Sequence, residues 1–203
     1  MHRRALLLML ALLLAAGTAQ AEQRTLVVLG DSLSAAYNMS REEGWVHLLR
    51  ERLEAQGHDW QVVNAAISGD TTRGGLSRLP AILEQHQPAL VIIQLGGNDG
   101  LRGVNPAETR DNIQRMVTLT QDAGAEAIVA GVRIPPNYGP AFSRRFEQSF
   151  VDASEATGAA LLPRILDQVD ERRELIQSDG IHPTAEAQPR ILDNVWAVLE
   201  PLL

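Results

Sequence analysis

The stretch Thr25-Leu26-Val27-Val28-Leu29-Gly30-Asp31-Ser32-Leu33 decides the fold. Five residues with almost no polar alternation predict a strand buried on both faces, as in a parallel sheet, and Gly30 ends it. Four later runs read the same way: Trp60–Ala66, Ala89–Leu95, Glu126–Val132 and Ala159–Leu162. Helical patterns lie between them. Trp45, Leu48, Leu49 and Leu53 make one apolar stripe that Gly57 ends, and Ile113, Met116, Leu119 and Thr120 make another that Gly124 closes. Ile191, Leu192, Val195, Trp196 and Leu199 mark a last helix. Alternation of this kind predicts one α/β domain over residues 22–203, with a mainly parallel sheet covered on both faces.

In such a sheet, ligands bind beyond the carboxyl ends of the strands. The segments following the first three strands are small-residue turns with polar side chains: Gly30-Asp31-Ser32, Ser68-Gly69-Asp70-Thr71-Thr72 and Gly96-Gly97-Asn98-Asp99-Gly100. A fourth, Ser178-Asp179-Gly180-Ile181-His182-Pro183, precedes the last helix. Ser32 alone reads as a helix N-cap as easily as a nucleophile. His182 changes that balance. Of five histidines, His2 sits near the N-terminus, and His47, His58 and His86 read as solvated residues on helix surfaces or ends. Only His182 has an acid three residues before it and a proline after it.

A serine hydroxyl needs a base to take its proton, and the base needs a partner on its other ring nitrogen. Asp179, three residues from His182, can be that partner within one turn. Acyl transfer also requires donors aimed at the developing oxyanion. The Ser32 N–H, the Gly69 N–H and the Asn98 amide are candidates, although ordinary turn chemistry would account for each singly.

These four blocks together resemble the SGNH hydrolases, also called GDSL esterases and lipases. Asn64 to Thr71 and Pro136-Asn137-Tyr138-Gly139 resemble one branch of that family, exported bacterial enzymes with thioesterase, protease, lysophospholipase and arylesterase activities. The resemblance implies a three-layer α/β/α fold of flavodoxin-like type with a central parallel sheet of about five strands. It implies Ser32 as nucleophile, His182 as base, Asp179 as the orienting acid, and Ser32, Gly69 and Asn98 as the oxyanion hole. The substrate is expected to be a small acyl ester or thioester, with no metal or organic cofactor. An acyl groove is expected between a loop starting near Arg73-Gly74-Gly75-Leu76 and the Asn137-Tyr138 loop.

Composition narrows the alternatives. The 203 residues carry a net charge of −7 with no basic run, which argues against a nucleic-acid partner, and the absence of cysteine removes thiolate chemistry. No G-x-S-x-G elbow is present, which disfavours an ordinary α/β-hydrolase. Two other classes remain: a metal-dependent phosphoesterase using Asp31, Asp70, Asp99, Asn98 and His182, and an exported acyl-binding protein without turnover. Residues 1–21 combine Arg3-Arg4, an apolar run from Ala5 to Ala16 and Ala19-Gln20-Ala21, the parts of a secretory signal peptide. Export to the periplasm, or beyond it, is expected, with no membrane span in the mature chain. Oligomeric state is not encoded in any of these patterns.

Overall fold

A computed structural model describes residues 23–203. The leader read at residues 1–21 lies outside the described residues. Five parallel strands form one sheet: β1 (Arg24–Gly30), β2 (Trp60–Asn64), β3 (Leu90–Gln94), β4 (Glu126–Ala130) and β5 (Ala160–Leu162), in the order β2-β1-β3-β4-β5. Helices α1 (Trp45–Ala55) and α6 (Gln188–Leu199) pack together on one face. Helices α2 (Thr72–His86), α4 (Pro106–Asp122) and α5 (Pro140–Thr157) pack in a row on the other, and a short α3 (Gly97–Leu101) follows β3. The three-layer α/β/α expectation is met, with five strands.

The apolar runs are unbroken because helices cover both faces. Leu26 to Leu29 in β1 and Leu90 to Ile93 in β3 are buried without exception. The strands are shorter than their apolar runs: β2, β3 and β4 end at Asn64, Gln94 and Ala130, because the chain leaves the ladder there to build the loops at the sheet edge.

Helix α2 corrects an expectation. Residues 73–76 are not a loop but the first turns of this helix, capped by the Thr71 hydroxyl, which accepts from the Gly74 N–H. The glycines serve packing: a Cβ at Gly75 would lie 2.1 Å from Leu95 Cδ1. Helix α5 starts with Pro140, whose missing N–H costs nothing at a first turn, and ends at Gly158 with φ +72°.

The strand order places the site. The chain steps from β1 to β2 on one side and returns to β3 on the other side of β1. That reversal opens a crevice above β1 and β3, the position where open parallel sheets bind ligands. Ser32 follows β1 and Asn98 follows β3.

Candidate active site

Gly30 is required where β1 turns out of the sheet, since a Cβ there would lie 2.7 Å from the Ser34 side chain. The turn is tied by the Asp31 carboxylate, whose Oδ1 accepts from the Leu33 N–H at 3.1 Å. The indole of the buried Trp45 donates to the Leu33 carbonyl at 3.1 Å, anchoring the turn to α1. Ser32 is thereby presented at the sheet edge, half-buried.

His182 arrives from a separate loop. The Gln177 N–H donates to the His182 carbonyl at 2.7 Å and the Thr184 N–H to the Leu175 carbonyl at 2.8 Å, closing a narrow loop with Asp179 and Gly180 at its tip. Asp179 Oδ1 accepts from the N–H groups of Ile181 and His182, at 2.9 and 3.0 Å. Its Oδ2 lies 2.6 Å from His182 Nδ1. A carboxylate can only accept, so Nδ1 carries the hydrogen and the neutral ring presents a bare Nε2. That nitrogen lies 2.9 Å from Ser32 Oγ. Partial burial opposes ionisation of Asp179, but the bonds from His182 and Ile181 outweigh it and hold the carboxyl below its usual range.

Asn98 opens α3 behind Gly96, whose φ of +121° suits glycine and where a Cβ would lie 2.9 Å from the Phe150 ring. The Asn98 amide donates to Asp31 Oδ2 at 3.4 Å. Asp31 Oδ1 also accepts from the Gln94 amide at 3.1 Å. Burial pushes the Asp31 carboxyl up to about 6, against the lowering effect of the Leu33, Gln94 and Asn98 donors and of nearby His182. Gly69, with φ +81°, lies in the exposed turn after β2. That turn starts beside Ser32, where the Ile67 N–H meets the Gly30 carbonyl at 3.0 Å, and Arg102 holds the Gly69 carbonyl at 3.0 Å.

Ser32, Asn98 and His182 line one cleft of about 670 Å³; Gly69 is not among its walls. The apolar lining includes Pro135, Pro136, Pro140, Leu166 and Ile176. The walls differ from the expected borders in two ways. No residue of 73–76 reaches the cleft, and the charged segment after β5 contributes Asp170 and Glu171. Arg133 and Glu147 also line the cleft, and Arg133 lies 3.4 Å from Glu147 and 3.8 Å from Glu171, an ionic cluster in the cleft wall. Sequence reasoning offered Asp31 only to the metal alternative, and it passed over Gln94, Gln177 and Tyr37, whose ring stacks on His182 with centroids 4.1 Å apart.

The carboxylates of the metal alternative serve other purposes. Asp70 pairs with Arg78 at 2.8 Å, and Asp99 accepts from the Thr72 N–H at 2.9 Å and from its hydroxyl, joining α3 to the start of α2. Burial raises the Asp99 carboxyl against these bonds. Among the described residues no three acidic or histidine side chains are grouped to hold a metal ion.

A doubly wound sheet carrying a serine hydroxyl, imidazole and carboxylate in one hydrogen-bonded chain at its switch point defines a serine acyl hydrolase. The chain belongs to the GDSL-like lipase/acylhydrolase family, whose model matches residues 28–189. It is 48% identical over 200 residues to esterase TesA of Pseudomonas aeruginosa, covering 98% of this chain and 100% of the relative. It is 41% identical over 179 residues to thioesterase 1/protease 1/lysophospholipase L1 of Escherichia coli, covering 88% and 85%. The crystal structure of the psychrotrophic esterase EstA of Pseudoalteromonas, inhibited by monoethylphosphonate, matches with TM-score 0.84 and 41% identity, covering 88% of this chain and 98% of that one.

Proposed function

We propose that this chain hydrolyses small carboxylic esters and thioesters through an acyl-enzyme on Ser32. The observation that carries the reading is the continuous chain Asp179–His182–Ser32, at 2.6 and 2.9 Å. His182 Nε2 takes the hydroxyl proton as Ser32 Oγ attacks the carbonyl, and Asp179 stabilises the imidazolium that forms. The Ser32 and Gly69 N–H groups and the Asn98 amide stabilise the oxyanion. On collapse, the imidazolium hands its proton to the departing alcohol or thiol. Water then attacks the acyl-enzyme with His182 again as base, returning the serine and releasing the acid. The relatives, named esterase and thioesterase/lysophospholipase, support both ester and thioester substrates.

The acyl chain is short to medium. Arg133 follows β4, two strands from Ser32, a reach of about 10 Å at roughly 4.8 Å per strand. There the Arg133–Glu147–Glu171 cluster offers charge where a longer chain would need apolar surface. The pattern of residues 1–21 supports export, and the periplasmic fraction should then contain a chain starting at Glu22.

The decisive experiment uses Ser32→Ala with p-nitrophenyl butyrate and a fluorophosphonate probe. Loss of both turnover and labelling in a folded variant is expected. Retained turnover rejects the nucleophile, and turnover abolished by EDTA in the parent chain points to a metal enzyme instead. Absence of both labelling and turnover in the parent chain, across a graded ester, acyl-CoA and lysophosphatidylcholine series, would reduce the protein to an acyl-binding one.

A further inference from the structure

Ser32 and His182 are 150 residues apart and hang from separate loops, so something must fix one against the other. The side chain of Gln177 bridges the two loops. Its amide donates one hydrogen to the Tyr37 carbonyl at 3.0 Å and the other to the Pro183 carbonyl at 2.8 Å. Its Oε1 accepts from the Asn38 amide at 3.2 Å. Its own N–H holds the His182 carbonyl at 2.7 Å, and its carbonyl accepts from the Gly180 N–H at 3.0 Å. Both amide hydrogens are therefore used, one toward the serine loop and one toward the histidine loop.

The bridge also sets Tyr37. Ala36 and Asn38, on either side of it, have φ of +55° and +56°, left-handed values uncommon outside glycine. Strain of this kind persists where the surroundings over-determine it, and it concentrates at functional sites. Here the two kinks turn the Tyr37 ring onto the face of the imidazole, with an interplanar angle of 29°. The ring blocks rotation of His182 away from Ser32. Its π face also attracts the positive charge that the imidazole gains during attack.

We propose that Gln177 and Tyr37 are positioning residues: together they clamp the histidine loop to the serine loop and hold the His182 ring in line with Ser32 Oγ. Gln177 bonds only loop carbonyls and the Asn38 amide, and Tyr37 acts only through the face of the imidazole it packs on. The inference rests on the reading of Ser32 and His182 as nucleophile and base. It is tested with p-nitrophenyl butyrate on Gln177→Met, which keeps length and loses every side-chain polar contact, and on Tyr37→Leu and Tyr37→Phe. Tyr37 is 44% exposed, so its variants fold regardless.

A displacement of about 1 Å at a reacting group costs up to about 100-fold, so Gln177→Met should lower kcat by about 10- to 100-fold with KM within about twofold. Tyr37→Leu should lower kcat by about two- to fivefold, the size of an exposed cation–π contact, while Tyr37→Phe stays at the parent rate. Inactivation by a fluorophosphonate, which needs the activated serine but no turnover, should slow in the same proportions. Parent kcat and labelling rate in both Gln177→Met and Tyr37→Leu overturn the clamp, as does a loss expressed in KM alone. If Gln177→Met does not fold, Tyr37→Leu against Tyr37→Phe decides. Ser32→Ala assayed alongside separates the readings: an active Ser32→Ala enzyme sinks the nucleophile itself, whereas an inactive one beside unaffected clamp variants sinks only the clamp.

Discussion

Replacing Asp31 with asparagine should make the protein less dependent on pH. Asp31 is 1% exposed, and its folded carboxyl titrates at about 6 against an ordinary value of 3.8. Between those two values the folded protein keeps a proton that the unfolded chain has already released. Raising the pH through this interval therefore favours the unfolded state: the stability associated with Asp31 is fully present below about pH 4 and lost as pH rises past about 6. At about 1.4 kcal/mol per pH unit, the interval is worth about 3 kcal/mol, and deep burial leaves no solvent screening to discount. Asparagine has the same shape but cannot ionise. It faces the Asn98 amide with donor against donor, so it adds a penalty that does not vary with pH. Urea unfolding of both proteins, followed by circular dichroism from pH 4 to 7.5, separates the two effects. The stability difference between variant and parent should move by about 2.5 kcal/mol in favour of the variant across that range, most of the full interval. A difference that stays flat within about 1 kcal/mol would refute the idea of a buried carboxyl titrating behind the site.

Three further outcomes are expected. Asn98→Ala should lower kcat on p-nitrophenyl butyrate by about 10²- to 10³-fold with KM little changed, since its amide is expected to act on the oxyanion and not on the bound ester; an unchanged kcat removes it from that role. Gly75→Ala places a Cβ against Leu95, which is fully buried, and should cost about 1–3 kcal/mol, read as a Tm lower by several degrees. Gln94→Leu removes the donor to Asp31 and the acceptor for Ser34 Oγ, which lies 2.6 Å away, so it should destabilise by about 2–4 kcal/mol. Its penalty should grow from pH 5 to 7.5, the opposite slope to Asp31→Asn, because the uncompensated carboxylate ionises over that range; urea titrations at the two pH values read it.

The strands were legible because nothing in them depends on distant partners. β1 and β3 are apolar on both faces whichever element covers them, and sequence alone located all five. Helix α2 was obscured because the family resemblance implies a loop near Arg73-Gly74-Gly75-Leu76, and two adjacent glycines give no local helical signal against it. Its residues stay helical because Gly75 meets Leu95 and Asp99 binds the first turn, two contacts that close only in three dimensions. Helix α5 left a trace that went unread: Phe142, Phe146 and Phe150, every phenylalanine of the chain, recur at four-residue spacing, and the last two are fully buried. The candidate catalytic residues were legible for a related reason. Asp179 and His182 meet within one loop, and each remaining block lies directly after a strand.

What escaped the sequence is the set of polar contacts that join those blocks. Gln94 ends a strand of four apolar residues and is completely buried, which on composition alone looks like a fault in the core. In the fold its amide bonds Asp31, its oxygen takes the Ser34 hydroxyl, and Asp31 in turn takes the Asn98 amide. The serine turn and the Asn98 turn are thus connected beneath the cleft as Gln177 connects the serine and histidine loops beside it. Each link spans between 60 and 140 residues of sequence, so no local pattern announces it. The links also differ in kind. Gln177 works near the surface, where its amide exchanges water for protein partners at little cost in stability. Asp31 works in the interior, where its charge opposes folding at neutral pH. A carboxylate retained at such a cost, within reach of the amide expected to bind the oxyanion, is what a site tuned for orientation rather than stability would keep. Activity and stability should therefore respond in opposite directions to Asp31→Asn and in the same direction to Gln94→Leu.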